Sequence, residues 1–299
     1  MGMKLNIIGC GNTGRTLAHL WSEEGTFEIG SILNRSLESA RQAVDFIGAG
    51  RAVNSLDEMD AGAVFMIATP DSQIEESCRI LSDSGLLTDG SIVFHCSGAL
   101  SSEVLHSAYQ QGAVIASVHP VKSFADPGLC VETFDGTCCG AEGNDEALNV
   151  LLPSFEAIGA TTFVVNPEFK TLYHTASVMV CNYLTALLEV GVQTYAKAGL
   201  DKDTAMKVMQ PIVQETVNNV FRMGTTNALT GPIARGDDNV VSKQIDALHD
   251  WYPQYANLYC DLGRVALHLS RQQGNASDAA LAALSELLKT TPGNTDIKE

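Results

Sequence analysis

The chain has 299 residues, 45% hydrophobic and 18% charged, which is ordinary globular usage and enough for two domains with a sizeable core. Its 18 Lys and Arg stand against 35 Asp and Glu, a formal charge of −17 that repels phosphate backbones and excludes nucleic acid and anionic membrane surfaces as expected partners. The opening apolar run, Leu5 to Ile8, is too short for a signal peptide, and no later stretch is expected to reach the roughly 18 apolar residues of a membrane span, so the expected compartment is the cytoplasm.

In chain order, β-rich runs at residues 4–8, 27–33, 63–68, 91–95, 113–118 and 161–165 alternate with helical stretches, the pattern of a doubly wound, mainly parallel sheet. Leu17, Leu20 and Trp21 share one helical face of residues 13–24, and Ile74, Cys78 and Leu81 share one after Asp71; both stripes predict core. Residues 136–140 read as a short late strand. Asn144 or Asp145 then caps a helix that Pro153 is expected to kink or interrupt.

After Asn166-Pro167 the strand signal ends. One helix is expected over 168–198, stopped by Gly199, and a second from Asp201 to about Phe221. A loop over 222–237 precedes helices near 239–249, 254–273 and 276–289, and the tail 290–299 is expected to fray. The predicted fold is therefore α/β, an N-terminal doubly wound Rossmann-like sheet followed by an all-helical C-terminal domain. The boundaries are 1–166 for a dinucleotide-binding domain and 167–299 for a substrate and dimerisation domain.

Gly9-Cys10-Gly11-Asn12-Thr13-Gly14 directly follows the first strand and opens the first helix, the context in which this glycine spacing admits a dinucleotide pyrophosphate. Gly9 allows the tight turn, Gly11 the close backbone approach, and Gly14 the packing of helix on sheet; the helix N-terminus supplies free N–H groups and a positive dipole. An acidic residue that would bond the ribose hydroxyls of NAD is expected at the end of the second strand, where Asn34 stands. Neutral Asn34 followed by Arg35 and Ser36 suits the 2′-phosphate of NADP; the competing reading is a solvated arginine and a helix cap. Arg15, a cation in the first turn of a helix, hints at a nearby anion. Ala68-Thr69-Pro70, at the end of a later strand, is placed to touch the nicotinamide half of the cofactor.

Eight cysteines, at 10, 78, 96, 130, 138, 139, 181 and 260, show no zinc spacing; reduced thiols and no metal are expected. The vicinal pair Cys138-Cys139 reads as small residues in a strand.

The Gly loop, Asn34-Arg35-Ser36 and Ala68-Thr69-Pro70-Asp71, with the switch to helices, resemble the 6-phosphogluconate and β-hydroxyacid dehydrogenase superfamily. Three further stretches are similar to a family that joins a Rossmann-like domain to a DUF2520 helical domain: His95-Cys96-Ser97-Gly98-Ala99, His119-Pro120-Val121-Lys122-Ser123-Phe124, and the run from Thr230 to Asp237. The resemblance covers nearly the whole chain and implies fold and cofactor. It implies no substrate.

Two candidate constellations carry proton chemistry. The first joins Ser97, just past one strand end, with His119 at the end of the next. By resemblance to prephenate dehydrogenases His119 would be the base and Ser97 its orienter or a nicotinamide contact, and an imidazole has a suitable ordinary pKa. The second places Lys170, His174, Val178 and Asn182 at four-residue spacings on one helical face. Resemblance to β-hydroxyacid dehydrogenases implies a lysine acid/base with an asparagine anchor there. For each histidine the alternative is a hydrogen-bonded structural residue, and the same holds for His95. Arg235 could clamp a carboxylate or fix its loop through Asp237.

The expected function is an NADP(H)-dependent oxidoreductase moving hydride to or from a small hydroxy or keto compound, with carboxylates among the candidate substrates. A prephenate-dehydrogenase-like oxidation is one alternative and a non-catalytic NADP-binding sensor or scaffold another. The apolar content of the helical half predicts a homodimer formed through it.

Overall fold

The computed structural model of the chain describes residues 2–289; the tail at 290–299 lies outside the described residues. Eight strands form one sheet: β1 (Met3–Ile8), β2 (Phe27–Leu33), β3 (Arg51–Val53), β4 (Val64–Ile67), β5 (Ile92–His95), β6 (Val114–Pro120), β7 (Cys138–Gly143) and β8 (Thr161–Val164). Their order is β3-β2-β1-β4-β5-β6-β7-β8, and only β6 and β7 pair antiparallel. Because β1 pairs with both β2 and β4, the winding reverses at its carboxyl end, where a doubly wound sheet opens its crevice.

Side chains alternate between the two faces. Val64 and Met66 join one core with Leu5, Ile7 and Phe94, while Phe65 and Ile67 join the other with Ile8 and Val93. Burial on both faces is why these strands read as unbroken apolar runs. Strand β3 escaped the sequence reading because Arg51-Ala52-Val53 is too short to show a period. Strand β7 runs to Gly143, beyond the expected 136–140, since its charged residue, Glu142, finds buried partners.

Helices α1 (Asn12–Glu24), α2 (Leu37–Ile47), α3 (Asp71–Asp83), α4 (His106–Tyr109), α5 (Pro127–Glu132) and α6 (Asp145–Ala157) cover the sheet. Trp21 of α1 is fully buried; it meets Phe27 and Phe155 edge-on at 5.3 and 5.0 Å, and its Nε1 donates to the Ser154 carbonyl at 2.9 Å. Helix α6 continues past Pro153 without interruption.

The remaining elements are helical: α7 (Lys170–Ser177), a π-helical turn (Val178–Asn182), α8 (Tyr183–Lys197), α9 (Lys202–Ala228), α10 (Gly231–Arg235), α11 (Asp238–Trp251), α12 (Pro253–Gln273) and α13 (Asp278–Leu287). Asp201 caps α9 by accepting from the Thr204 amide at 2.9 Å, and Asp237 caps α11 through the Val240 amide at 3.2 Å. The expected loop 222–237 is largely helical. Helix α9 passes Gly224, at φ +80°, and α10 closes on Gly236, at φ +75°, whose missing side chain admits Ala276 and Ala280.

The chain divides into two compact units, one through Tyr183 and one from Leu184 onward. The first unit thus holds the segment 167–183, which the sequence reading had assigned to the helical half. The reason is local: Lys170 and Tyr173 bond side chains of the sheet. Residues Pro167–Lys197 also form a 31-residue helical segment that contains an 18-residue window of mean hydropathy 1.4, 6% of it buried. By length and composition it could cross a membrane, which corrects the expectation that no such stretch exists.

Candidate active site at the carboxyl ends of the central strands

At the switch point the three glycines have separate physical reasons. Gly9 sits at φ +83°, and a Cβ there would lie 2.4 Å from Thr69 Cγ2 and 2.7 Å from the Thr69 amide. A Cβ on Gly14 would press on Cys10 Sγ at 3.3 Å and Ala68 Cβ at 3.5 Å, so this glycine seats the helix on the sheet. A Cβ on Gly11 would meet nothing within 4 Å, which leaves the backbone open to an approaching group. The amides of Asn12, Thr13 and Gly14 make no hydrogen bond within the protein and stand at the positive end of α1, whose first turn has no acidic residue. Loop and helix end together fit a dinucleotide pyrophosphate.

Asn34 braces this loop. Its Oδ1 accepts from the Cys10 amide at 2.5 Å, and its Nδ2 donates to Ser39 Oγ at 3.0 Å. Burial pushes the Cys10 thiol up to about 12, so Cys10 packs as a neutral group. Ser36 caps α2 by accepting from the Ser39 amide at 3.2 Å, while Arg35 is exposed and makes no hydrogen bond or ion pair. Arg15 Nε and Thr69 Oγ1 are buried polar atoms without a protein partner. Asn12 donates from Nδ2 to the carbonyls of Phe124 and Ala125, tying the loop after β6 to the glycine turn.

A second cluster stands on the same carboxyl edge of the sheet, where Gly98 follows β5 and His119 ends β6. His119 Nδ1 lies 2.9 Å from the Tyr173 hydroxyl, and its ring meets that of His174 edge-on with centroids 5.8 Å apart. A Cβ on Gly98 would fall 2.7 Å from His119 Nε2 and 2.6 Å from His174 Nδ1. Both ring nitrogens therefore converge on a notch that exists because residue 98 has no side chain. His174 Nδ1 is buried and without a partner. Burial holds the His119 imidazole down at about 4, with His174 and Lys170 adding to the shift, so His119 is neutral at pH 7. The two constellations expected separately meet here through His119 and His174.

The other members stand apart. The Ser97 hydroxyl donates to Asp71 Oδ2 at 2.9 Å and accepts from the Ala99 and Leu100 amides at 3.2 and 3.1 Å. It makes no bond to His119 and ties the β5 turn to the start of α3, which corrects its expected orienting role. Lys170, 1% exposed, lies with its Nζ 2.9 Å from Glu142 Oε1 and 2.5 Å from Ser117 Oγ; Glu142 also accepts from the Ser102 amide and hydroxyl at 2.9 and 2.7 Å. These two buried bonds tie α7 to the sheet, and Lys170 forms none to His119 or His174, the groups it was expected to work beside. Asn182 is exposed and its side chain makes no hydrogen bond. The π-helical turn that ends on it adds a residue to the local repeat, so the four-residue spacing no longer aligns Asn182 with His174.

His95 is fully buried. Its Nδ1 accepts from the Ser97 amide and its Nε2 faces the Ser101 carbonyl, both at 3.1 Å, and burial holds it down at about 4. Arg235, exposed at the end of α10, forms no hydrogen bond or ion pair with Asp237. None of the eight cysteines is in a disulfide, and among the described residues no three His, Cys, Asp or Glu side chains gather as a metal site. In the helical unit a hollow of about 780 Å³, lined by residues such as Leu188, Met209, Ile233 and Tyr259, contains no charged or histidine side chain.

Tyr173, Gly98 and Glu142 are the site residues that the sequence reading missed. Glu142 had one visible signal, a lone acid in the small-residue strand Cys138–Gly143. Tyr173 had none, because its partner His119 is remote in sequence, and Gly98 stood in the run His95–Ala99 that carries the resemblance, with no role legible for it.

Fold and glycine turn define the class, a Rossmann-like protein with a largely helical C-terminal region. Residues 2–120 match the Rossmann-like domain family and residues 137–266 the domain of unknown function DUF2520, so the chain carries both of these domains in that order. Protein TM1727 of Thermotoga maritima is 26% identical with a TM-score of 0.71, over 90% of this chain and 99% of that one. A candidate NADP oxidoreductase of Bacteroides fragilis is 22% identical with a TM-score of 0.66, over 91% and 98%. A pyrroline-5-carboxylate reductase of Coxiella burnetii shares the fold at 16% identity and a TM-score of 0.58, over 97% and 100%. A prephenate dehydrogenase of A. aeolicus, solved with hydroxyphenyl propionate and NAD+, shares it at 15% identity and 0.52, over 86% and 92%. No curated protein matches the sequence.

Proposed function

We propose that the protein is an NADP(H)-dependent oxidoreductase that moves a hydride to or from a small hydroxy or keto compound, with the His119 and His174 pair handling the proton. The observation that carries this reading is the convergence of His119 Nε2 and His174 Nδ1 on the Gly98 notch, on the same strand-end edge as an open glycine turn. When bound, the dinucleotide supplies or accepts the hydride. The chain would hold its pyrophosphate at the amides of residues 12–14, and Arg35, with the Ser36 hydroxyl, is the group offered to a 2′-phosphate. The absence of an acid at Asn34 favours NADP over NAD. Relatives point both ways: the Bacteroides fragilis protein is named for NADP and the prephenate dehydrogenase was solved with NAD+.

Two imidazoles facing one small space suit an oxygen that changes between carbonyl and hydroxyl, since one ring can donate a hydrogen bond while the other accepts. Small carboxylates and keto acids, the chemistry named in the reductase and dehydrogenase relatives, are the first substrates to try. Phe169, Leu172, Met179, Val180 and Tyr183 are 56–68% exposed on one helical segment, which supports a soluble homodimer that covers them.

The test is a fluorescence titration of the folded protein with NADPH and NADH, followed by a screen of hydroxy and keto acids against the native protein, His119→Ala and His174→Ala. Failure of the folded protein to bind either dinucleotide would remove the reading.

A further inference from the structure

The Tyr173 hydroxyl has a single partner, His119 Nδ1, at 2.9 Å, and it reaches that partner because residue 140 is glycine: a Cβ there would lie 2.7 Å from the hydroxyl and 2.9 Å from Cζ. The phenol ring also packs edge-on against the His119 ring at 86° and, at 66°, against Phe163. The bond between oxygen and Nδ1 has two possible directions. If the imidazole donated, the phenol proton would be left without an acceptor in a half-buried place. If the phenol donates, its only proton is used and what stays unpaired is a lone pair, the cheaper omission. The phenol is protonated under all ordinary conditions, since burial pushes Tyr173 up to about 12.

We infer that Tyr173 is a positioning residue that holds His119 in the Nε2-protonated tautomer, so that His119 meets the substrate as a hydrogen-bond donor to a carbonyl or alkoxide oxygen beside Gly98. This rests on the oxidoreductase reading and sharpens it. His119 polarises the oxygen without surrendering its proton, and proton transfer falls to His174, whose Nδ1 has no protein partner. The charged groups around the pair do not compete for the bond. Lys170 is engaged by Glu142 and Ser117, and Asp71 by Ser97. Gly98 and Gly140 share one logic, each leaving out a side chain so that an aromatic ring can approach on either side of His119.

The tautomer is directly observable. In protein labelled with 15N-histidine, with His119 assigned by loss of its signals in His119→Gln, long-range proton–nitrogen correlation at pH 7 should show a pyridine-type Nδ1 and a pyrrole-type Nε2. Tyr173→Phe removes one oxygen and should shift both nitrogens toward averaged values, as the tautomers become comparably populated. A pyrrole-type Nδ1 in the native protein overturns the inference, and so does an unchanged pattern in a folded Tyr173→Phe protein. Should that variant fail to fold, the native spectrum alone decides. Titrating the native sample with NADPH keeps the two failures distinct: loss of binding removes the oxidoreductase reading, whereas a wrong tautomer with intact binding removes only the role of Tyr173.

Discussion

Lys170 Nζ and Glu142 Oε1 are 2.9 Å apart with side chains only 2% and 3% exposed, so the first turn of α7 is bolted to the antiparallel strand β7 by a buried ion pair. Burial pulls the lysine below its usual pKa, and the adjacent carboxylate opposes that shift. Tyr173 and His174 follow on the same helix within four residues, so the pair sets where both rings arrive.

Removing one partner strands the other charge in the core. Lys170→Met or Glu142→Gln should each cost about 3–5 kcal/mol in urea unfolding, whereas the joint replacement of both should recover part of that loss. Single variants within about 1 kcal/mol of the native protein would show that the pair is not an anchor.

Both His95 and His119 sit near 4, below the ordinary imidazole value of about 6.5. The unfolded chain therefore takes up protons that the folded chain refuses between pH 6.5 and 4. Stability is fully present above that window and declines as pH falls through it. For fully buried His95 the contribution is on the order of 3 kcal/mol. Unfolding curves recorded across the window should show the decline, and His95→Asn should flatten it; identical slopes in the two proteins would exclude His95 as a source.

Gly98→Ala introduces a methyl 2.6 Å from His174 Nδ1 and 2.7 Å from His119 Nε2. Gly98 does not have a positive φ, so the backbone accepts the change and the rings must move. Expected are altered imidazole signals for both histidines and dinucleotide affinity within about threefold of native, a change below ~1 kcal/mol. Unperturbed imidazole signals would mean that the notch is roomier than its geometry.

Arg35→Ala tests the choice of cofactor. Loss of one guanidinium contact to a 2′-phosphate should weaken NADPH about tenfold, roughly 1.4 kcal/mol, and NADH less than twofold. An equal loss for both cofactors would count against Arg35 as the reader of the phosphate.

The helical segment with Leu172 at 66% and Val180 at 68% exposure is the surface offered to a second copy. Light scattering should report a dimer at micromolar concentration, and Leu172→Glu with Val180→Glu should leave a folded monomer. A native monomer would remove the homodimer, and association only with detergent or lipid would redirect the segment Pro167–Lys197 toward a membrane.

How much the sequence alone decides follows from where the information resides. Period and punctuation are local, so the six main strands, the glycine turn and the cap at Asp201 were legible. Strand β3 was not, because it is three residues long, and β7 was legible only over 136–140, since its extension to Gly143 depends on pairing with β6 and on the burial of Glu142. Helical spacing likewise identified His174 and failed at Asn182, where a π-helical turn that no residue type announces shifts the repeat.

The division at the site is sharper. The sequence by itself determined the doubly wound sheet, the open glycine loop and a set of polar residues at strand ends, since each depends on neighbours a few positions away. Only the tertiary structure decided which of those residues meet. Ser97 is claimed by Asp71 and two amides, Lys170 by Glu142, and His119 by Tyr173, 54 positions later. A hydrogen bond saturates its donor, and a buried charge must take the partner that packing brings within about 3 Å, so the role of a polar side chain is fixed by groups that its own stretch of chain does not contain.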